Sequence, residues 1–208
     1  MKNLNNYITE KLKLNKDTKP DYKFHPENKE ELQKILKELL IKGETNLNSI
    51  DVSKITDMNA LFYDLHLPDG YIKTIDISEW DVSNVKTMNR MFMNYELFNA
   101  DLSSWDVSNV TSMWGMFYKC KRFTGKGLEK WNVSNVTNMK QMFQECDTFN
   151  CDISEWDVSN VTDMSGMFMY CEKFNQDLSS WNIYKNTDIC WMFRDCKSLK
   201  KLPSWYKA

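Results

Sequence analysis

The stretch from residue 156 to residue 171 reads W-D-V-S-N-V-T-D-M-S-G-M-F-M-Y-C, and versions of it return through most of the chain. The tryptophan that opens each version recurs every 25 or 26 residues, at Trp80, Trp105, Trp131, Trp156 and Trp181. A fixed period of this size is typical of proteins in which one supersecondary unit stacks on the next and buries a shared core. The sequence therefore predicts a solenoid.

The period includes more than the tryptophan. Each complete copy continues with M-x-x-M-F, a cysteine or tyrosine three residues later, a second phenylalanine, and Asp-Ile/Leu-Ser before the next tryptophan. The junction before Trp131 departs from this order and carries one extra residue, reading Gly127-Leu128-Glu129. Diverged copies lie at residues 51–62 and 202–205, so the sequence predicts a repeat solenoid over 46–208 with about six coils.

Within one copy, the spacing of apolar residues indicates two short elements. Met164, Met167, Phe168 and Cys171 fall at i, i+3, i+4 and i+7, which is one face of a helix, and Thr162 could cap its N-terminus. Residues 174–179 alternate apolar and polar side chains, as a strand with one buried face does. An alternative places the strand in the tryptophan phrase at 156–161. The predicted fold class is an α/β repeat solenoid with one short parallel strand and one short helix per coil.

The order M-x-x-M-F-x-x-C-x-x-F-x-x-D-[IL]-S-x-W-[DN]-V-S-N-V-T resembles the repeats of BspA-like leucine-rich-repeat surface proteins of bacteria. The resemblance covers most of the chain. It implies a right-handed, leucine-rich-repeat-like coil with no catalytic residues, and a place on a cell surface or a virion. The N-terminal arm resembles the short arm before such repeats in small proteins of gut Bacteroidetes and their phages.

Residues 1–45 differ from the repeats. Pro26 and the acidic residues after it favour a helix start, leucines follow at helical spacing, and Gly43 suits the position just past a helix end. A first coil with an uncovered apolar edge needs a terminal cap, so we expect helix 27–42 to cover that edge. Residues 1–14, separated from it by a linker at 15–21, form either a loosely attached tail or a docking peptide for a partner.

Four of the six cysteines share one repeat position, at Cys120, Cys146, Cys171 and Cys196. Cysteines on neighbouring coils could reach the separation that a disulfide needs, but thiols stay reduced inside a cell. One column of cysteines gives a line rather than the tetrahedron of ligands that zinc requires. We therefore expect these cysteines to pack in the core and predict no metal site.

Polar residues recur between the second phenylalanine and the next tryptophan. The candidate binding residues are Asn99, Asp101, Ser103, Asn150, Asp152, Ser154, Asn175, Asp177 and Ser179. The aspartates could hydrogen-bond backbone amides, contact a partner or hold a cation, since Ca²⁺ takes several oxygen ligands. A second column, at Asn84, Asn109, Asn135 and Asn160, is expected to be a ladder that stabilises turns.

Several classes of protein are disfavoured. The formal net charge of −2 gives no basic footprint for nucleic acid. No stretch approaches the ~20 apolar residues of a membrane helix, and the start lacks a signal peptide or lipobox, so we expect a cytoplasmic chain without membrane insertion. With only His25 and His66, and no catalytic motif or phosphate-binding loop, we expect no enzyme and no cofactor.

The sequence thus favours a non-enzymatic module that recognises a protein, or a glycan, through the strand face of the solenoid. The alternative is a structural or assembly component of a phage particle or cell surface. Residues 202–205 discriminate between these two functions. If they close the last coil, a monomer is favoured, whereas an open last coil allows end-to-end assembly. The ligand and the oligomeric state stay open.

Overall fold

The structure is a computed structural model that describes residues 21–67 and 74–206. In these ranges the regular elements are one α-helix, α1 (Lys29–Ile41), and two 3-10 helices, Tyr63–Leu65 and Leu128–Lys130. Everything else is turn or irregular backbone. The predictions for residues 1–14 and most of the linker at 15–21 lie outside the described residues.

The repeats form coils that stack on one another in register. Isolated parallel bridges, each one residue wide, join Asp57 to Thr87 and then continue through Ser112, Asn138, Asp163 and Asp188. Successive residues in this series of bridges are one sequence repeat apart, so every coil lies against the coil formed by the next repeat. The predicted stacking of repeats with a shared interior is therefore present.

The predicted fold class is wrong in its elements. The described residues contain no strand and no helix within the repeats, only the bridges, turns and two 3-10 helices. An α/β leucine-rich-repeat-like solenoid with a strand and a helix in each coil is therefore not the architecture. The correction applies to both strand placements, at 174–179 and at 156–161, because the series of bridges from Asp57 to Asp188 falls elsewhere, just before each M-x-x-M-F segment. The other bridges, between Phe24 and Ile50 and between Asn46 and Asp76, are also one residue wide and form no strand.

Left-handed residues replace the predicted helix. Gly166 and Tyr170 have φ angles of 62° and 63°, which an α-helix cannot contain. Between them, Met167 N–H donates to Met164 O at 3.1 Å within the coil, whereas Phe168 N–H donates to Met192 O of the next coil at 3.0 Å. Because turn bonds and bonds between coils alternate in this way, the segment is a series of turns.

The same two left-handed positions recur around the stack. The first is occupied in successive coils by Ala60, Arg90, Gly115, Gln141, Gly166 and Trp191. The second is occupied by Asn94, Lys119, Glu145, Tyr170 and Asp195. Most are not glycine, so the repeated backbone, rather than local residue preference, imposes the conformation.

Turns also occupy the predicted strand positions. In the tryptophan phrase, Asp157 accepts a hydrogen bond from Ser159 N–H at 3.1 Å, and Val161 N–H closes a turn onto Val158 O at 3.0 Å. Such turns leave no run of extended residues for a ladder. Thr162, predicted to cap a helix, instead donates its hydroxyl to Thr137 O of the previous coil at 3.1 Å.

The tryptophan column is buried, as we expect for large aromatic residues at fixed repeat positions. Trp131 is 4% exposed, and its ring stacks on Trp105 and Trp156 with centroid separations of 6.3 and 6.5 Å. Its indole N–H donates to Leu102 O of the previous coil at 3.2 Å. Each tryptophan therefore fills the core and also satisfies a backbone carbonyl of its neighbour.

Two phenylalanine columns pack beside the tryptophans. Phe117 stacks on Phe143 of the next coil at 5.6 Å and on Phe123 of its own coil at 4.2 Å. Phe143 continues onto Phe168 at 5.7 Å. The contacts within and between coils form one continuous aromatic interior along the stack.

The stack continues without interruption across the irregular junction at residues 127–129. Gly127 has a φ of 94°, and a Cβ there would lie 2.3 Å from Ser103 N, so only glycine fits. Glu129 accepts from Gly127 N–H at 3.0 Å, and the 3-10 helix Leu128–Lys130 takes up the extra residue. Trp131 consequently returns to the register of the column.

Helix α1 is well capped at both ends. Asn28 accepts from Glu31 N–H at 2.9 Å, and the Glu31 carboxylate accepts from Glu27 N–H at 2.9 Å. At the other end, Gly43 has a φ of 84° and its N–H donates to Leu40 O at 3.0 Å. The observed range, Lys29–Ile41, lies inside the predicted helix 27–42.

The same helix covers the N-terminal edge of the stack, as expected. Leu32, Leu36 and Leu40 are fully buried in the common core. Its polar side chains reach the edge carbonyls: Lys29 Nζ lies 3.3 Å from Asn59 O, and Gln33 Nε2 lies 3.3 Å from Leu61 O. The helix therefore covers both the apolar interior and the free acceptors of the first coil.

The C-terminal edge is covered only in part. Trp205 extends the tryptophan column by stacking on Trp181 at 6.4 Å, and Tyr206 packs edge-on against Phe193 at 5.0 Å. Among the described residues, no further coil lies against the turn segment at 189–196. Four of its backbone amides therefore find no acceptor among the described residues: Ile189, Trp191, Phe193 and Asp195.

Replacing Trp131 with alanine should lower the free energy of unfolding by roughly 3–5 kcal/mol, because the change opens a cavity in the middle of the column and leaves Leu102 O unsatisfied. Chemical denaturation monitored by circular dichroism measures the difference. A matched substitution, Trp191→Ala, removes an exposed ring and should cost much less. Equal losses for the two variants would contradict the buried role of Trp131.

Deleting residues 1–45 should cause aggregation or loss of cooperative unfolding, because the core and the edge carbonyls of the first coil lose their cover. Thermal unfolding and light scattering check this. Deletion of residues 1–14 alone is the control and should leave the melting temperature unchanged. If the longer deletion stays soluble with unchanged stability, α1 is not the cap.

Candidate binding surface

The predicted binding residues lie on one side of the stack, here called the polar face: Asn99, Asp101, Ser103, Asn150, Asp152, Ser154, Asn175, Asp177 and Ser179. Each aspartate accepts from the backbone N–H of the serine two residues later. At Asp101 this distance is 3.0 Å, and the Ser103 hydroxyl also donates to the same oxygen. The aspartates therefore close turns of their own coil.

The asparagines of the polar face join neighbouring coils. Asn150 Oδ1 accepts from Asn175 N–H at 2.9 Å, and Asn175 Oδ1 accepts from Lys200 N–H at 3.0 Å. Asn99 Oδ1 accepts from Thr124 N–H at 3.0 Å in the coil with the irregular junction. The structure thus brings Asn150 and Asn175 together, whereas Asn99 lies across that irregular coil from them.

The second asparagine column is a ladder, which confirms that prediction. Each side-chain amide donates to a serine carbonyl of the previous coil, as in Asn135 Nδ2 to Ser108 O at 2.7 Å and Asn160 Nδ2 to Ser134 O at 2.8 Å. Asn84 and Asn109 form the same bond at 2.8 Å. These amides hold the coils in register.

Structural hydrogen bonds therefore occupy much of the polar face. Asp101 also forms an ion pair with Lys126 at 2.7 Å, which reduces the negative charge offered to a partner. Binding by the nine polar residues stays a prediction. No strand presents them, however, because the described repeats contain none.

A different side of the stack carries exposed aromatic residues. The turn face consists of the outward side chains of the five turn segments at 88–95, 113–120, 139–146, 164–171 and 189–196. Its most exposed large residue is Trp191, at 65%, and Tyr170 is also exposed. The Arg90 guanidinium lies 3.9 Å from the centroid of the Trp114 ring, and Trp114 Nε1 donates to Gln141 Oε1 at 3.3 Å.

Large and small residues alternate along the turn face. Arg90, Gln141 and Trp191 share the first left-handed position with Gly115 and Gly166, which lie between them in successive coils. A Cβ would meet nothing closer than 3.7 Å at Gly115 or 3.5 Å at Gly166. Each glycine therefore leaves a notch between two longer side chains.

The notch at Gly166 has a volume of about 280 Å³. Gln141 and Trp191 stand on its two sides, and Met169 and Gln144 lie within it. Gln144 is 5% exposed, and its Oε1 is buried without a hydrogen-bond partner among the described residues. No other buried side-chain nitrogen or oxygen in those residues lacks a partner.

The notch at Gly115 is similar in size, about 270 Å³, but has a different lining. Arg90, Trp114, Tyr118 and Gln141 surround it. None of these residues has a buried side-chain nitrogen or oxygen without a partner. The Tyr118 hydroxyl contacts Glu145 Oε1 at 3.2 Å, and Trp114 Nε1 donates to Gln141 Oε1. The two notches therefore share a shape and differ in the polar groups they leave free.

Three cysteines of the column, Cys120, Cys146 and Cys171, lie in the core, as expected, and Cys196 is partly buried against it. The Cys146 thiol donates to Phe117 O at 2.9 Å and the Cys171 thiol to Phe143 O at 2.9 Å. Burial raises the pKa of both thiols well above the ordinary value, so they stay protonated donors. Within the described ranges all six cysteines are free, and no group of acidic, cysteine or histidine side chains could hold a metal ion.

The sequence reasoning did not identify the turn face. Its residues occupy the variable positions of M-x-x-M-F-x-x-C, where no residue type recurs in every coil and no motif is visible. The one available signal was the third position of that phrase, which reads Arg, Gly, Gln, Gly and Trp at residues 90, 115, 141, 166 and 191.

Hydrogen bonding lowers the pKa values of the polar-face carboxylates. The Lys126 ammonium, followed by the Ser103 hydroxyl and amide, lowers the pKa of Asp101 to about 2. The Ser154 amide and hydroxyl lower the pKa of Asp152. Because these folded-state values lie below the unfolded value of about 3.9, the ionised carboxylates stabilise the fold above that pH.

Acidification from about pH 4 to pH 2 should therefore lower the melting temperature progressively, as these carboxylates take up protons. Replacing Asp101 with asparagine keeps an acceptor for Ser103 but removes the titrating charge. This variant should be less stable than wild type at neutral pH and lose less stability on acidification. Differential scanning calorimetry across the range checks both effects, and an identical acid response in the variant would contradict the role of Asp101.

The comparisons with known proteins identify one family. No helix in the described part of the chain is long and apolar enough to cross a membrane. No curated protein and no solved structure shows significant similarity to the chain. Residues 30–127 and 120–207 each match the family described as "Mycoplasma protein of unknown function, DUF285". Since the two matches together cover most of the sequence, the chain belongs to this DUF285 family.

Proposed function

We propose that the protein is a non-enzymatic recognition module that binds a protein or a glycan through its turn face. The observation that carries the proposal is the row of exposed or half-buried aromatic and basic side chains on that face, set on a backbone that repeats from coil to coil. Trp114, Tyr118, Tyr170 and Trp191 belong to this row, and Arg90 stacks on Trp114.

The residue types on the turn face suit recognition. Tryptophan, tyrosine and arginine dominate the binding energy of most interfaces, because each buries a large area and still offers a polar group. The two glycine notches give a partner places to insert side chains or rings. On the polar face, by contrast, Asp101 and Asn150 already form hydrogen bonds within the stack.

The W-D-V-S-N-V phrase and its spacing support a finer placement within the family. We propose that the chain is related to the BspA-like repeat proteins of bacterial surfaces, whose repeats it resembles. The turn conformation of the repeats is observed in the structure and holds whether or not the chain is related to the BspA-like proteins. It supports the binding role only by analogy, and the turn face supports that role by itself.

An assembly role has one specific observation in its favour. The amides of Ile189, Trp191, Phe193 and Asp195 at the C-terminal edge could donate to the carbonyls of another chain. At the opposite edge, however, Lys29 and Gln33 of α1 already occupy the corresponding carbonyls. Direct head-to-tail stacking of copies would have to displace α1, so assembly is the second candidate.

Partner capture from the source cells with the immobilised full-length chain, compared between two double variants, tests the proposal. Trp114→Asn with Tyr170→Asn alters the turn face, and each new residue copies the first full coil, where Asn89 and Asn94 hold the equivalent positions. The backbone should therefore tolerate both changes. We expect the captured partner to be lost, while circular dichroism shows an unchanged fold.

The comparison variant, Asp101→Lys with Asp152→Lys, reverses charges on the polar face and should retain the partner. The opposite result, with the partner lost only in the lysine variant, would place the site on the polar face. Retention by both variants would also contradict recognition by the turn face.

A further inference from the structure

One buried polar group gives the notch at Gly166 a more specific chemistry. Gln144 contributes fully to the backbone pattern, because its N–H donates to Gln141 O at 3.2 Å and its carbonyl accepts from Lys119 N–H at 2.8 Å. Its side-chain Oε1 is buried and has no hydrogen-bond partner among the described residues. A buried acceptor without a donor destabilises the fold. Gln144 Oε1 lies just behind the surface of the notch, 3.6 Å from the position that a Cβ at Gly166 would take, so a ligand with a donor group there could satisfy it.

The stack itself does not require an amide at this position. The equivalent residues in the neighbouring coils are Tyr118 and Met169, and Met93 occupies it in the first full coil. An apolar or aromatic side chain therefore fills the space equally well. Gln144 adds a hydrogen-bonding group that the packing does not use.

The walls of the notch limit the ligand further. Trp191 offers an exposed indole face on one side, and Gly166 leaves room beside it. Lys140 and Asp188 also line the notch, and their opposite charges give no net preference for an anion or a cation. An apolar ligand would leave Gln144 Oε1 unpaired, so the ligand must donate a hydrogen bond and present a flat apolar surface.

We propose that this notch binds one neutral hexose or N-acetylhexosamine unit of a glycan. The Gln144 side chain rotates to bring Oε1 to the surface of the notch, where a ring hydroxyl donates to it. The C–H face of the sugar ring packs on Trp191, and the remaining hydroxyls reach Lys140 and Asp188. The volume of about 280 Å³ is at the small end for ligand pockets, which suits a single ring rather than a longer segment. This inference rests on the proposed function of the turn face and specifies its ligand.

An array of immobilised neutral oligosaccharides, built from glucose, galactose, mannose and their N-acetylamino forms, tests the inference. Titration calorimetry with the strongest ligand then compares variants of the full chain. Gln144→Met copies Met93 and Met169, and Gly166→Gln copies Gln141, so the stack should tolerate both changes. Each should weaken binding about tenfold or more, the first by removing the acceptor and the second by filling the notch.

Gln176→Met is the matched control, since it removes an amide that lies outside the turn face and donates to Asn150 O. It should leave saccharide affinity unchanged. Wild-type protein that binds no oligosaccharide at millimolar concentration, or equal affinities in all variants, would overturn the inference. If partner capture still depends on Trp114 and Tyr170 in that case, the turn face binds a protein, and the failure concerns the saccharide alone.

Discussion

The fold depends on the alternation of backbone hydrogen bonds in the turn segments. Every second amide, such as that of Gly166 or Phe168, donates to the next coil, and the amides between them close turns within their own coil. A helix would direct all of its amides along its own axis, and a strand would direct them all sideways. Because the amides of a turn segment alternate between these two directions, the same segment closes its own coil and holds the next coil in position.

This backbone has a conformational cost that only the stack can sustain. Left-handed residues such as Gln141, Tyr170 and Trp191 are each strained by about 1–3 kcal/mol. Stacked aromatic rings in the core and indole N–H groups bonded to the preceding coil provide the compensation. No single coil could offset this strain alone, which is the physical reason for stacking several copies.

The sequence predicted which side chains are buried more accurately than it predicted the backbone conformation. Met164, Met167, Phe168 and Cys171 are all buried, as the helical spacing indicates. Successive three-residue turns place side chains on one side at the same intervals as a helix does, so periodicity could not separate the two. The asparagine ladder was predictable because it repeats. Gln144 was not, because its role depends on a single coil and on the space left by another residue.

The repeat divides the chain into positions that hold the stack and positions that are free to vary. The tryptophan and phenylalanine columns must repeat, because each ring stacks on its own copy in the next coil. The left-handed positions need only a side chain that accepts a positive φ, and hydrogen bonds of neighbouring residues impose that angle. Arginine, glycine, glutamine and tryptophan can therefore follow one another there, at residues 90, 115, 141 and 191, without disturbing the core. A surface that varies on a fixed frame is where recognition can be encoded, which is why we propose the turn face, rather than the repeated polar columns, as the recognition surface.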